Sequence, residues 1–290
     1  MKSFILLLVF LFACSIMGCS EFSSTAQTIA SDGQTNAYVD KISMHSDSLD
    51  KDMKVQVYLP KGYSSSLRYP VLYLLHGQGG NEKSWNKDMD VATKTTKLID
   101  DKKIKPLIIV MPDYDNSYGT NYADHTYTKS GRQYGRYEDY ITKDLISYID
   151  YHYSTIATRE GRSIGGLSMG GFAALFLAFT HQDLFSKAGG HSPAMFLDST
   201  ESLDWLYKDE AMRKKTDPLY LADSLDLSKL DVYLDYGDRD MQHVIETTDQ
   251  LYAKLKAVGV QVQLHSSSGG HDSHYWKANT ESYLLFYAGL

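Results

Sequence analysis

The sequence predicts an α/β domain in which a mostly parallel central sheet carries helices on both faces. Two continuous apolar runs, residues 70–75 and 106–112, are too uniformly hydrophobic for half-exposed strands and fit strands buried on both faces. Segments with helical spacing alternate with such runs along the chain. A glycine-flanked serine, Gly166-x-Ser168-x-Gly170, stands where a short buried strand gives way to an apolar, helix-forming run. With 290 residues and 43% hydrophobic side chains, a single domain with a sizeable core is expected.

Taken in order, residues 55–60 alternate in the manner of a strand and stop at Pro60, and 61–69 form a turn-rich connection. The strand at 70–75 ends in His76-Gly77-Gln78-Gly79-Gly80. A glycine-rich turn at the carboxyl end of a central strand exposes backbone N–H groups where open α/β sheets bind ligands, so this turn is a candidate oxyanion loop. Residues 91–101 form an amphipathic helix, and 106–112 form a second buried strand closed by Pro112. The stretch 113–137 is a long polar loop carrying Tyr114, Tyr118, Tyr122, Tyr127, Tyr134 and Tyr137, and loops of that length in compact domains are usually functional.

Residues 138–151 place Tyr140, Ile141, Leu145, Ile146 and Ile149 at helical spacing and lead into a strand at 162–167. The run 171–179 is an apolar helix. A short strand at 185–190 follows, and His191-Ser192-Pro193 ends it on the same sheet edge as Ser168. The charged and aromatic excursion 195–230 is partly helical and placed to cap the site as a lid. Residues 230–236 alternate into Gly237-Asp238-Arg239-Asp240, a helix at 247–258 stops at Gly259, and a strand at 260–265 precedes the loop 266–272. Residues 276–287 form a closing helix, and the chain holds no internal repeat.

Gly166-x-Ser168-x-Gly170 has the form of a nucleophile elbow. The strand must turn sharply into the helix so that the hydroxyl projects, and side chains on the flanking glycines would collide there. Serine is a weak nucleophile unless a base takes its proton and an acid orients that base. On such a sheet the order is serine, acid, histidine, each after a successive strand. Three loops meet it: Ser168, then Asp238 or Asp240, then His271. His191 is a candidate for the pocket wall, whereas His76 shapes the glycine turn, and His265 and His274 read as structural or exposed.

The amino terminus reads as a targeting segment. Lys2 supplies the charged start, residues 4–12 the apolar stretch, and Ile16-Met17-Gly18-Cys19 resembles a bacterial lipoprotein processing box. Residues 1–18 are expected to be a signal peptide, Cys19 the lipidated residue, 19–40 a polar spacer and 41–290 the folded domain. The expected location is that of an exported bacterial lipoprotein, anchored to a membrane through its N-terminal lipid and facing the periplasm or the cell surface. Both cysteines, Cys14 and Cys19, fall in this segment, which leaves the domain without a disulfide, a cysteine nucleophile or a thiolate metal site. The formal net charge of -7, without a basic run or zinc-finger spacing, argues against nucleic acid as the partner.

Three stretches, residues 69–85 (Tyr-Pro-Val-Leu-Tyr-Leu-Leu-His-Gly-Gln-Gly-Gly-Asn-Glu-Lys-Ser-Trp), 166–171 (Gly-Leu-Ser-Met-Gly-Gly) and 269–276 (Gly-Gly-His-Asp-Ser-His-Tyr-Trp), resemble the esterase D-like group of α/β-hydrolases. That group includes the feruloyl and acetyl-xylan esterases of carbohydrate esterase family 1, S-formylglutathione hydrolases, mycolyltransferases and siderophore esterases. The likeness spans roughly residues 50–290 and is closest to the feruloyl-esterase-like branch. It implies an α/β-hydrolase fold, Ser168 as nucleophile, His271 as base and Asp240 as acid, since the group's pattern puts the acid three residues after a glycine such as Gly237. It also implies an oxyanion hole from the backbone N–H groups of Gln78 and Met169, with Gly77, Gly166 and Gly170 as the loop and elbow glycines, and neither metal nor organic cofactor.

The activity so implied is deacylation of plant carbohydrate esters, feruloyl or acetyl groups on xylan or xylo-oligosaccharides. A broad small-ester, siderophore-ester or S-formylglutathione-type hydrolase and a noncatalytic carbohydrate-binding lipoprotein are the alternatives. Tyr118 and Trp205, from the two long excursions, join His191 as candidate substrate-binding residues, because aromatic faces with hydroxyl handles suit an aromatic acyl group or a sugar ring.

Overall fold

The computed structural model describes residues 36–122, 134–197, 203 and 206–290. Cys19, the signal segment, most of the spacer, Tyr127, Trp205 and parts of both excursions lie outside the described residues.

In chain order the elements are β1 (Tyr38–Ser46), β2 (Lys51–Leu59), β3 (Val71–Leu75), α1 (Ser84–Lys87), α2 (Val91–Asp100), β4 (Ile108–Pro112), β5 (Asn121–Tyr122) and β6 (Gly135–Arg136). Then come α3 (Tyr137–Asp139), a π-helical stretch (Tyr140–Leu145), α4 (Ile146–His152), β7 (Arg162–Leu167), α5 (Met169–Thr180) and β8 (Lys187–His191). The last are α6 (Glu210–Thr216), α7 (Pro218–Ser224), β9 (Asp231–Gly237), α8 (Gln242–Ala257), β10 (Gln261–Ser267) and α9 (Ser273–Ala288).

Eight strands form one sheet in the order β1-β2-β4-β3-β7-β8-β9-β10. From β4 to β10 every neighbour is parallel, and β2 joins antiparallel to both β1 and β4. The apolar runs fit the double burial inferred from them. Val71, Tyr73 and Leu75 enter the core beneath α5, whereas Leu72 and Leu74 face the second core with Trp85, Tyr283 and Tyr287. α5 packs into the first core, and Phe172 to Phe179 along it are all buried. A helix with apolar residues on every side needs protein on every side, and the sheet together with α7 provides much of it.

β3 lies between β4 and β7, its partners on either side. The chain leaves β3 for β4 on one side and returns to β7 on the other, so loops from adjacent strands diverge at their carboxyl ends. Such a reversal is where open α/β sheets take ligands. The glycine turn after β3 and the serine after β7 both meet there.

Three features differ from the expectations. β1 starts at Tyr38, inside the expected spacer, because Tyr38 to Ser46 pair throughout with β2 as a hairpin. α8 starts at Gln242, five residues before the expected helix, and Val244 in its first turn joins Thr247, Leu251 and Leu255 on the buried face. The helix leading to β7 widens into a π turn between α3 and α4, an irregularity to which side-chain spacing is blind.

Glycines at the middle of the sheet decide how closely α9 approaches. A methyl group at Gly165 of β7 or Gly189 of β8 would overlap the Tyr287 hydroxyl of α9. Gly189→Ala is therefore expected to destabilise the fold by about 1–3 kcal/mol, the usual cost of overpacking a dense core. Tyr287→Phe in that background should recover part of the loss. Denaturant titration of the two variants checks this, and an unchanged midpoint for Gly189→Ala would contradict it.

Candidate active site

Ser168 joins β7 to α5 with φ 55° and ψ -118°, a conformation that costs a non-glycine residue about 1–3 kcal/mol. Its neighbours hold it there. The Ser168 N–H donates to the His191 carbonyl at 2.9 Å, and the Ser168 carbonyl accepts from Phe172 N at 3.1 Å and Ala194 N at 3.0 Å. A methyl at Gly166 would strike the Gly170 backbone, and one at Gly170 would strike the Leu75 carbonyl. The two flanking glycines are thus required by close backbone approach.

The three loops converge on one hydrogen-bonded chain. Ser168 Oγ lies 2.8 Å from His271 Nε2, and His271 Nδ1 lies 2.8 Å from Asp240 Oδ1. Because Asp240 can only accept when ionised, the Nδ1 proton is fixed on its side and the Nε2 lone pair faces Ser168. The Asp240 side chain is fully buried and that of His271 is 17% exposed, so the carboxylate is shielded while the imidazole is partly open. The Trp276 indole stands edge-on to the His271 ring with centroids 5.0 Å apart. Burial alone would push the Asp240 carboxyl up. The His271 N–H, the Ser192 hydroxyl, the histidine's charge and the Met241 N–H together hold it below the usual carboxylate range.

The two aspartates left open by residue order have different partners. Asp240 reaches His271, whereas Asp238 accepts from the Gly269 N–H at 3.0 Å and so ties the acid loop to the histidine loop. Arg239 N–H to the Gly269 carbonyl at 2.8 Å and Asp238 N–H to the Ser267 carbonyl at 2.9 Å complete that seam.

The turn after β3 lies against the elbow. A methyl at Gly77 would meet Leu167 Cδ1 at 2.7 Å and Ser168 Cβ at 3.5 Å. Buried His76 shapes the turn by donating from Nδ1 to the Gly77 carbonyl at 2.8 Å, while the Tyr114 hydroxyl donates to the His76 carbonyl at 2.7 Å. Asn116 Oδ1 accepts from Gly79 N–H at 2.7 Å. The loop after β4 therefore clamps the turn that carries Gln78. Met169 is the first residue of α5, and the first N–H groups of a helix have no partner within it and carry its positive dipole end. Such a site suits a developing oxyanion beside Ser168. Among the described residues no group of three or more His, Cys, Asp or Glu is arranged to hold a metal ion.

Two candidate substrate-binding residues are corrected by the structure. His191 does not line a pocket: its side chain is fully buried, stacked on Tyr283 at 3.6 Å, with Nδ1 2.9 Å from Asp235 Oδ1. As the last residue of β8 it turns its ring to the α9 face of the sheet. Tyr118 is buried too and packs edge-on against Phe172 of α5, with centroids 5.4 Å apart. Tyr114, Tyr122 and Tyr137 are likewise buried, so these tyrosines fasten the excursion to the domain and offer no open aromatic face. The third candidate, Trp205, lies outside the described residues.

Sequence reasoning missed Asp235, Ser192 and the clamp from Tyr114 and Asn116. Asp235 had a usable signal, an acid at an inward position of an otherwise apolar central strand. Ser192 was placed on the sheet edge of Ser168 but given no role, and the clamp had no signal, since it depends on loops brought together from separate strands.

The Esterase family model matches residues 46–285. Over 158 residues the chain is 35% identical to an endo-1,4-beta-xylanase/feruloyl esterase of Xylanibacter ruminicola, covering 52% of this chain and 21% of that protein. The chain thus spans about a fifth of that relative's length. Among solved structures, a ferulic acid esterase matches with a TM-score of 0.74 at 24% identity, over 88% of this chain and 98% of the other. An S-formylglutathione hydrolase from Agrobacterium tumefaciens matches with 0.72 at 17% identity, over 87% and 95%. At those identities the structural likeness speaks to fold. With its mostly parallel sheet, its serine elbow at the switch point and a family match over most of its length, the chain belongs to the Esterase family and has an α/β-hydrolase fold.

Proposed function

We propose that the chain is a serine carboxylic ester hydrolase that deacylates plant-derived carbohydrate esters through an acyl-enzyme on Ser168. One observation carries the chemistry: the continuous chain from Ser168 Oγ through both His271 nitrogens to Asp240, 2.8 Å at each step. His271 Nε2 takes the hydroxyl proton as Ser168 Oγ attacks the ester carbonyl carbon. The carbonyl oxygen becomes an oxyanion in reach of the Gln78 and Met169 N–H groups, and Asp240 stabilises the imidazolium. Collapse breaks the bond to the alkoxy oxygen, which leaves as an alcohol with the proton from Nε2. Water then gives a proton to Nε2 and attacks the acyl carbon, and collapse breaks the bond to Ser168 Oγ, which takes the proton from Nε2 as the acid leaves.

The choice of substrate class rests on the three sequence stretches shared with feruloyl-esterase-like proteins and on 35% identity to a relative named as a xylanase and feruloyl esterase. The aromatic residues once credited with stacking do not support it where they are described, because they are buried. We also propose that the chain is an exported lipoprotein held at a membrane by a lipid on Cys19, a reading supported by the segment Ile16-Met17-Gly18-Cys19.

Steady-state kinetics should separate the two aspartates: Asp240→Asn is expected to lower kcat by about 10³ to 10⁴, as loss of the triad acid does, and Asp238→Asn by no more than roughly ten-fold. The reverse ranking would assign the acid to Asp238. An ester panel tests the substrate class. Feruloyl and acetyl xylo-oligosaccharides should give a higher kcat/KM than short alkyl esters and S-formylglutathione, since remote contacts can be used in the transition state. No gain from the sugar would indicate a broad small-ester hydrolase instead. For the anchor, Cys19→Ala should move the protein from the membrane to the soluble exported fraction, and unchanged membrane recovery would exclude lipid at Cys19.

A further inference from the structure

The end of β8 carries two buried residues, His191 and Ser192, for which the acyl-transfer scheme has no use. Asp235, almost fully buried, accepts from His191 Nδ1 at 2.9 Å on one oxygen and from the hydroxyls of Tyr275 and Tyr283 at 2.7 and 2.8 Å on the other. The Tyr287 hydroxyl closes the cluster 3.2 Å from His191 Nε2. Burial, and then the Asp235 charge, keep the Tyr275, Tyr283 and Tyr287 hydroxyls protonated well above neutral pH, so all three can donate. This cluster fixes backbone as well as side chains. The His191 carbonyl holds the Ser168 N–H, and the Asp235 carbonyl holds the Ser192 N–H at 2.8 Å.

Ser192 is thereby pinned at φ 48° with its hydroxyl sealed from solvent. Ser192 lies between His191 and Ala194, both hydrogen-bonded to the Ser168 backbone. Ser168 leads through His271 to Asp240, whose Oδ1 accepts twice, from His271 Nδ1 at 2.8 Å and from Met241 N–H at 2.7 Å. Asp240 Oδ2 and Ser192 Oγ are both buried, and neither has a partner at full hydrogen-bond geometry. A buried acceptor and a buried donor left unpaired are each unfavourable, and together they satisfy one another. Burial raises the Asp240 carboxyl, and the Ser192 hydroxyl is the second of the groups, after the His271 N–H, that bring it down.

We propose that Ser192 is a positioning residue of the catalytic site, its hydroxyl donating to Asp240 Oδ2 so that the carboxylate is held on both oxygens and Oδ1 stays aligned on His271. Asp235, His191 and the three tyrosines set the backbone from which that hydroxyl is delivered. The inference rests on the acyl-transfer reading of Ser168. Ser192 touches no reacting atom and acts through Asp240 alone, which a thermodynamic cycle can detect.

The experiment measures kcat and KM on a 4-nitrophenyl ester for the wild type, Ser192→Gly, Ser192→Ala, Asp240→Asn and the two double variants, with circular dichroism and thermal unfolding for each. Glycine accepts the positive φ, so Ser192→Gly removes the hydroxyl without backbone strain. If it does not fold, Ser192→Ala gives the same reading. The expected result is a loss of about ten-fold in kcat with KM within about two-fold, and no further loss when either change is added to Asp240→Asn. Wild-type kcat in a folded Ser192 variant would overturn the proposal, as would the same fold-loss with Asp240 already replaced, which a merely structural role produces. Ser168→Ala run in parallel keeps the two questions apart, because near-normal turnover there would end the acyl-transfer reading whatever Ser192 does.

Discussion

A serine held at φ 55° and ψ -118° between β7 and α5 is the constraint on which the rest of the structure depends. That backbone is unfavourable in isolation and persists because its surroundings over-determine it. β3 lies so close that Gly170 has no room for a side chain, β8 supplies the carbonyl for the Ser168 N–H, and α5 receives its carbonyl. An all-apolar helix and a sheet buried on both faces make those neighbours rigid. Held in this way, the Ser168 hydroxyl lies 2.8 Å from His271 Nε2.

The place of the site follows from topology. Adjacent parallel strands whose connections depart to opposite sides leave their carboxyl ends uncovered, and here those strands are β3 and β7. The loops after β9 and β10 bring Asp240 and His271 to the same edge. Asp238 joins them by capping the Gly269 N–H, which places Asp240 toward His271. A pair of aspartates two residues apart thus divides between holding the loop and holding the base.

Much of this was legible in the sequence because the signals are local. The apolar runs of β3 and β4, the small residues of β8 and the Gly166-x-Ser168-x-Gly170 turn report backbone requirements that any reader can extract residue by residue. Order along successive strand ends singled out Ser168 and His271 and left Asp238 or Asp240 open, and the family resemblance pointed to Asp240, the one that hydrogen-bonds His271. Other features depend on partners far away in sequence. β1 is a strand through its pairing with β2, and His191 looks like a pocket residue until Asp235 and three tyrosines are seen to enclose it. The tyrosines of the long loop misled for a related reason. A side chain suited to stacking on a ligand is equally suited to packing on Phe172, and burial chose the second.

The central claim is that Ser168 is the group that becomes acylated. Incubating the folded protein with a fluorophosphonate, which bonds covalently to a hydroxyl activated by a neighbouring base, and locating the adduct by peptide mass spectrometry tests it most directly. The account predicts one adduct per chain on Ser168, with labelling and ester turnover lost together in Ser168→Ala. A folded, ester-hydrolysing protein that is labelled elsewhere, or not at all, would contradict it.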